Sequence, residues 1–201
     1  MRQRIVAFGH RKGTGKDTAA SFAVERAFHH SINRGHIETI PIAKASFASR
    51  LKVSCYFLFG WAGIRMEEYY ERSSTRHLKE EILPAIGKTP RQIWIEYGMA
   101  MRSIHEGIWI DLMFEQYSRH RFLAIADLRF PNEAKRLRDL GAVLVRVDNP
   151  GVRTTGDTAD NALAGFTDWD HVIVNTPGDP QGMRSQVNSI VDRMYDGGKH
   201  A

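Results

Sequence analysis

The chain has 201 residues, 42% of them hydrophobic, enough for one sizeable core and for a single domain spanning 1–201. A formal charge of +5 and a pI near 9.5 favour anionic partners, but such an excess suits small phosphates or plain solubility as well as nucleic acid, which is not the expected partner. The lone cysteine, Cys55, excludes an internal disulfide and a multi-cysteine metal site, and its apolar setting predicts a buried, inert thiol in a reducing compartment. The first apolar run is too short for a signal segment and no stretch reaches membrane-spanning length, so no membrane partner is expected and the cytoplasm is the expected location.

In chain order, Ile5 to Phe8 is a short apolar run ending in glycine, followed from Lys16 by Ala19, Phe22, Ala23 and Ala27 at helical spacing. The opening therefore reads as strand, glycine-rich turn, helix. Ile37 to Ile42 predicts a second strand, after which Phe47, Leu51, Cys55 and Leu58 share one helical face that ends near Gly60. Glu67 to His120 shows no strand signal and reads as several helices, one starting at Thr89-Pro90 and another over Trp109 to Tyr117. Phe122 to Ala126 suits a buried parallel strand, Pro131 to Leu140 a helix stopped by Gly141, and Val143 to Val147 another strand.

The stretch from Asn149 to Gly165 is rich in Gly, Thr and Asp without periodicity and predicts a long loop, the kind that serves as a lid. His171 to Val174 gives a fifth strand, and Met183, Val187, Ile190, Val191 and Met194 a closing amphipathic helix. Strands alternating with helices imply a three-layer α/β fold, its mostly parallel five-stranded sheet covered by helices on both faces. The core is expected at about 1–45 and 120–201, a helical insertion at about 46–119 and the lid at about 149–165. Ligands of such folds bind at the carboxyl ends of the strands.

One segment sits at such an end: G-H-R-K-G-T-G-K-D-T, Gly9 to Thr18, between the first strand and the first helix. Glycines let backbone N–H groups approach phosphate, the helix start adds partial positive charge, Lys16 can reach β- and γ-phosphates, and a hydroxyl can enter a magnesium shell. Gly13, Thr14, Gly15, Lys16, Asp17 and Thr18 are therefore the expected nucleotide-binding residues. Two features depart from the usual spacing. Counted back from Lys16, the leading glycine falls on His10, so either the loop is one residue longer or histidine takes that place at positive φ. Asp17 stands where a hydroxyl residue is usual, leaving Thr18 to supply it.

Four further segments carry a family likeness. G-K-D-T, F-A-S-R-L-K (Phe47 to Lys52), K-T-P-R-Q (Lys88 to Gln92) with Gly98 and Arg102 beyond it, and A-D-L-R-F-P-N-E (Ala126 to Glu133) together resemble the phage-type deoxynucleoside monophosphate kinases over nearly the whole chain. The resemblance implies a P-loop kinase fold with an acceptor-binding insertion, ATP and Mg2+, a deoxynucleoside monophosphate substrate, and host cytoplasm if a phage encodes the chain. It leaves open whether two chains pair as a homodimer. Animal-type phosphomevalonate kinases look similar around the loop and the D-x-R element, and a nucleotide-binding module without catalysis is the alternative from another class. At Ser49 the chain lacks the acidic residue common after F-A in the family.

Asp127 at a strand end suits magnesium, as a cap or a salt bridge to Arg129 would also explain it. Arg129, Arg91 and Arg102 are candidates to clamp an acceptor phosphate, with Lys52 behind them, because guanidinium binds phosphate bidentately. Trp94 could stack on a base, although most of Tyr69, Tyr70, Trp61 and Trp94 should be core. Arg153 in the expected lid is the candidate to reach the transferring phosphoryl group, with Arg146 behind it. The nine histidines show no paired metal spacing, and His29-His30 reads as a solvated helix end.

Overall fold

The computed structural model describes residues 3–33, 41–152 and 162–197. Its chain divides into two compact units, one made of Met1–Ser46 with Tyr117–Ala201 and the other of Phe47–Gln116.

The first unit holds five strands: β1 (Arg4–Gly9), β2 (Ile42–Ala45), β3 (Phe122–Leu128), β4 (Val143–Asp148) and β5 (His171–Val174). Their order is β2-β3-β1-β4-β5, and each of the four pairings is parallel. Among the described residues, this unit carries the helices α1 (Lys16–Asn33), α6 (Pro131–Asp139) and α7 (Pro180–Asp196). On one face Val6, Phe8, Phe122, Ala124, Val145, Val147 and Ile173 join the alanine stripe of α1 and the Met183, Val187, Ile190 and Val191 face of α7 in one buried cluster. Alanines let α1 lie close to the sheet, and each large side chain that α7 buries contributes roughly 1.5–3 kcal/mol. The alternate residues Ile5, Ala7, Leu123, Ile125 and Leu144 are equally buried, as are Ala134 and Leu137 of α6. Because side chains alternate across a strand, this second set covers the opposite face, and the three-layer α/β fold expected from the pattern follows.

Of the strand expected at Ile37 to Ile42, residues 37–40 lie outside the described residues, and the described strand runs Ile42–Ala45. I-A-K-A has only one large apolar residue, and its pairing with β3 alone leaves it half-exposed, so no strong apolar run marks it. His29 is exposed as expected, whereas His30 is only partly exposed. Its Nε2 lies 2.6 Å from Asp192 Oδ1, and its ring stacks on Tyr195 at 4.4 Å.

The second unit is helical, with α2 (Phe47–Phe59), α3 (Glu67–Glu71), α4 (Pro90–Ile104) and α5 (Ile108–Gln116). Thr89 caps α4 reciprocally: its Oγ1 accepts from Gln92 N at 3.1 Å and Gln92 Oε1 accepts from Thr89 N at 2.8 Å. Gly98 lets α4 approach α2, since a Cβ there would stand 2.5 Å from Leu51 Cδ1. Cys55 is fully buried in this unit, and desolvation pushes its thiol up to about 12. No helix among the described residues is long and apolar enough to cross a membrane.

Two predictions follow from this packing. A thiol reagent at pH 8 should leave Cys55 unmodified in the native protein and label it fully in denaturant, as read by mass spectrometry; rapid native labelling would contradict the buried placement. In α6, Glu133 is almost fully buried and its Oε2 accepts from the backbone N–H groups of Arg129 and Phe130 at 2.9 and 3.0 Å. Glu133→Ala should cost on the order of 3 kcal/mol by orphaning both donors, lowering Tm by roughly 6–12 °C in a thermal melt.

Candidate functional site

β1 lies between β3 and β4, and its connection to β2 passes β3, whereas the connection from β3 to β4 passes β1. Neighbouring strands thus send their chains to opposite sides, which opens a crevice at their carboxyl ends. The glycine-rich loop leaves β1 there, and Gly9 is in register with Leu128, so Asp127 and Arg129 flank the same end.

The question of the leading glycine is settled by geometry. His10 has φ 100°, alone among the described non-glycine residues in being positive, so histidine occupies the turn position itself. A side chain in that conformation costs about 1–3 kcal/mol. Gly9 serves another purpose: a Cβ there would stand 2.5 Å from the Trp169 ring, so only glycine lets β1 pass. Gly13 and Gly15 also have positive φ, at 81° and 100°.

The loop is closed by its own groups. Lys16 Nζ donates to Arg11 O, and Thr14 Oγ1 donates to the same carbonyl at 3.0 Å. Both side chains are buried. α1 starts as Ala19 N donates to Gly15 O at 2.9 Å, which leaves the earlier N–H groups at the helix start to face an anion. Asp17 and Thr18 are exposed on the first turn, and Asp17 Oδ1 accepts from Lys44 Nζ at 3.1 Å.

Asp127 is partly exposed at the end of β3, where Ser46 Oγ donates to its Oδ2 at 2.7 Å. The backbone of Arg129 is fixed by Glu133 as described, and its side chain is partly exposed. Oxygen donors of this kind, the Asp127 carboxylate and the Thr18 hydroxyl, fit a hard divalent cation.

Within the helical unit, Lys52 Nζ lies 2.5 Å from Glu67 Oε1 and 5.5 Å from the centre of the Trp94 ring. Ser49 Oγ donates to Glu67 Oε2 at 3.2 Å. Tyr70 is buried and meets Trp94 edge-on at 5.2 Å, Trp94 is partly buried, and Trp61 is exposed. Lys52 and Trp94 are therefore brought together. Arg91, in the first turn of α4, pairs with Glu80 at 2.5 Å, and Arg102 lies in the last turn of the same helix. Arg153 and residues 154–161 of the expected lid lie outside the described residues; on the near side, Gly151 N donates to Asn149 Oδ1 at 2.9 Å.

Three residues were not singled out by sequence reasoning. Asn175, just beyond β5, donates from Nδ2 to Thr14 O at 2.9 Å, and a Cβ on Gly15 would stand 2.5 Å from that nitrogen. Asp148 ends β4 with its Oδ1 2.9 Å from His10 Nδ1 and 2.8 Å from Arg146 Nε. Burial, reinforced by Arg146 and Arg11 against the opposing pull of Asp148, holds the His10 imidazole below its usual range. Glu67 supplies a carboxylate beside Ser49, the position at which the F-A-S segment lacks one. A polar residue at the carboxyl end of a strand was the available signal for Asn175 and Asp148; nothing local marked Glu67.

No protein-family model matches the chain. It is 29% identical over 206 aligned positions, covering 90% of this chain and 92% of its counterpart, to an Acanthamoeba polyphaga mimivirus protein named "Putative deoxynucleotide monophosphate kinase". The likeness read from the loop, F-A-S-R-L-K, K-T-P-R-Q and A-D-L-R-F-P-N-E segments thus has an independent counterpart over nearly the full length: this chain is similar to a protein named for that kinase activity.

Proposed function

We propose that this protein transfers the γ-phosphoryl group of ATP to a deoxynucleoside 5′-monophosphate, giving the diphosphate. The observation that carries the reading is the phosphate loop itself, with three positive-φ residues and a buried lysine at the carboxyl end of the central strand. The mimivirus relative supports the choice of acceptor.

In this reading the loop amides and the start of α1 bind the ATP phosphates, and Lys16 leaves the Arg11 carbonyl to meet the β- and γ-phosphates. Thr18 and Asp127 would hold Mg2+, which neutralises charge on the phosphates when bound. Arg129, Arg91, Arg102 and Lys52 take the acceptor phosphate, and Trp94 lies against its base. Residues 47–116 act as the acceptor-binding insertion. The loop at 149–165 acts as the lid and brings Arg153 to the transferring group, excluding water from an in-line attack by an acceptor phosphate oxygen.

A coupled assay with the four common deoxynucleoside monophosphates, their ribose counterparts and phosphomevalonate tests the acceptor. Turnover should appear with at least one deoxynucleotide; activity with phosphomevalonate alone would reassign the enzyme. Lys16→Ala should fold normally and lose turnover by at least a hundredfold, and near-normal turnover would remove Lys16 from the chemistry. Asp127→Asn should lower turnover and shift the Mg2+ titration to higher concentration, whereas an unchanged titration with full activity would make Asp127 structural.

A further inference from the structure

We propose that His10, acting through Asp148, is a positioning residue that ties the entry of the phosphate loop to the carboxyl end of β4 and so sets the loop geometry that receives ATP. The inference rests on ATP being the ligand of this loop.

The turn at position 10 would cost glycine nothing, yet it carries histidine at φ 100°. The strained side chain is not displaced into solvent. It is buried, with Nδ1 2.9 Å from Asp148 Oδ1. The approach is short without the alignment of a full hydrogen bond, so the pull between ring and carboxylate is that of a charge on a dipole. The same carboxylate oxygen takes Arg146 Nε at 2.8 Å, and Arg146 is the register partner of Gly9. A closed circuit results: β1 pairs with β4, β4 presents Arg146 and Asp148, and Asp148 faces the residue that follows Gly9.

Charge supports this arrangement. The groups facing His10 are Asp148, Arg146 and Arg11, and burial with the two arginines keeps the imidazole neutral at pH 7. A neutral ring can present an N–H to Asp148 while Arg146 balances the carboxylate. A loop anchored in this way has fewer conformations to lose when it wraps an anion, so the side chain should act on ATP affinity and not on the acceptor.

Direct titration of ATP by calorimetry, with steady-state kinetics alongside, tests the idea. His10→Gly removes the tether and the strain together. It should keep or raise Tm, weaken ATP binding about tenfold, raise the KM for ATP in parallel and leave the KM for the monophosphate unchanged. Asp148→Asn, which keeps the size and removes the charge, should weaken ATP binding similarly, and the double variant should lose little more than either single one. His10→Asn should recover part of the loss, since asparagine tolerates positive φ and keeps an N–H donor. If wild type binds ATP and His10→Gly binds it as tightly, the tether is overturned while the kinase reading stands. If wild type does not bind ATP, the reading on which the tether rests fails with it. Should His10→Gly not fold, Asp148→Asn decides: unchanged ATP affinity overturns the proposal.

Discussion

The glycine-rich loop depends on two places where backbone passes a side chain too closely for a Cβ: Gly9 against Trp169 and Gly15 against Asn175. Both partners come from around β5, more than 150 residues away in sequence, so the loop takes its form from the far side of the sheet as well as from its own glycines. Trp169 is held in turn. Arg138 of α6 reaches Asp168 at 2.9 Å and Asp170 at 2.6 Å, on either side of the tryptophan, and Asp170 also accepts from Leu144 N at 2.7 Å. The chain of contacts runs from α6 through this segment to the root of the loop. A charged network of this kind contributes more through placement than through net energy, since each partly exposed pair is worth little alone.

The same logic separates two kinds of residue that share one motif. In A-D-L-R-F-P-N-E, Asp127 is partly exposed at the strand end, whereas Glu133 is buried and occupied with two backbone donors. In K-T-P-R-Q, Thr89 and Gln92 cap α4 reciprocally, while Lys88 pairs with Glu96 and Arg91 with Glu80. Much of what makes these segments recognisable is therefore the chemistry of starting a helix just where a cationic side chain is needed. Glu133 and Gln92 hold backbone, and Lys88, Arg91 and Arg129 carry positive charge beside them.

The alternation of elements was legible because four strands are apolar runs and the helices keep a 3.6-residue period. β2 was not, since Ile42–Ala45 is a short edge strand with a lysine in it, and edge strands can alternate weakly without losing burial. Sheet order was beyond reach, because nothing in β1 or β4 alone records that Gly9 stands beside Arg146. Within the site, Lys16 and its glycines could be read locally. Asn175 and Asp148 carried only the general signal of a polar residue at a strand end and Glu67 none, as each acts on a residue brought close only by the fold. The sequence left His10 ambiguous between two loop lengths, and its φ, with Trp169 closing over Gly9, removes the ambiguity.

Three of the cations assigned to the proposed reaction share one feature: each already has an internal anion or dipole. Lys16 donates to the Arg11 carbonyl, Lys52 lies on Glu67, and Arg91 lies on Glu80. The Lys52–Glu67 and Arg91–Glu80 pairs are partly exposed and contribute about 0–1 kcal/mol each, so exchanging them costs little. A phosphate offers several charged oxygens and can take guanidinium in two parallel hydrogen bonds, which are roughly twice as strong as neutral ones. In the proposed reaction the exchange would favour phosphate, while each resting partner keeps its own side chain ordered. For Lys52 the exchange has a second consequence. Moving its ammonium from Glu67 to a phosphate would free a carboxylate that the Ser49 hydroxyl still holds, in the helical unit that also carries the Trp94 ring proposed to meet the base. Phosphate capture and a hydrogen-bond acceptor for the rest of the acceptor molecule would then be two results of one rearrangement.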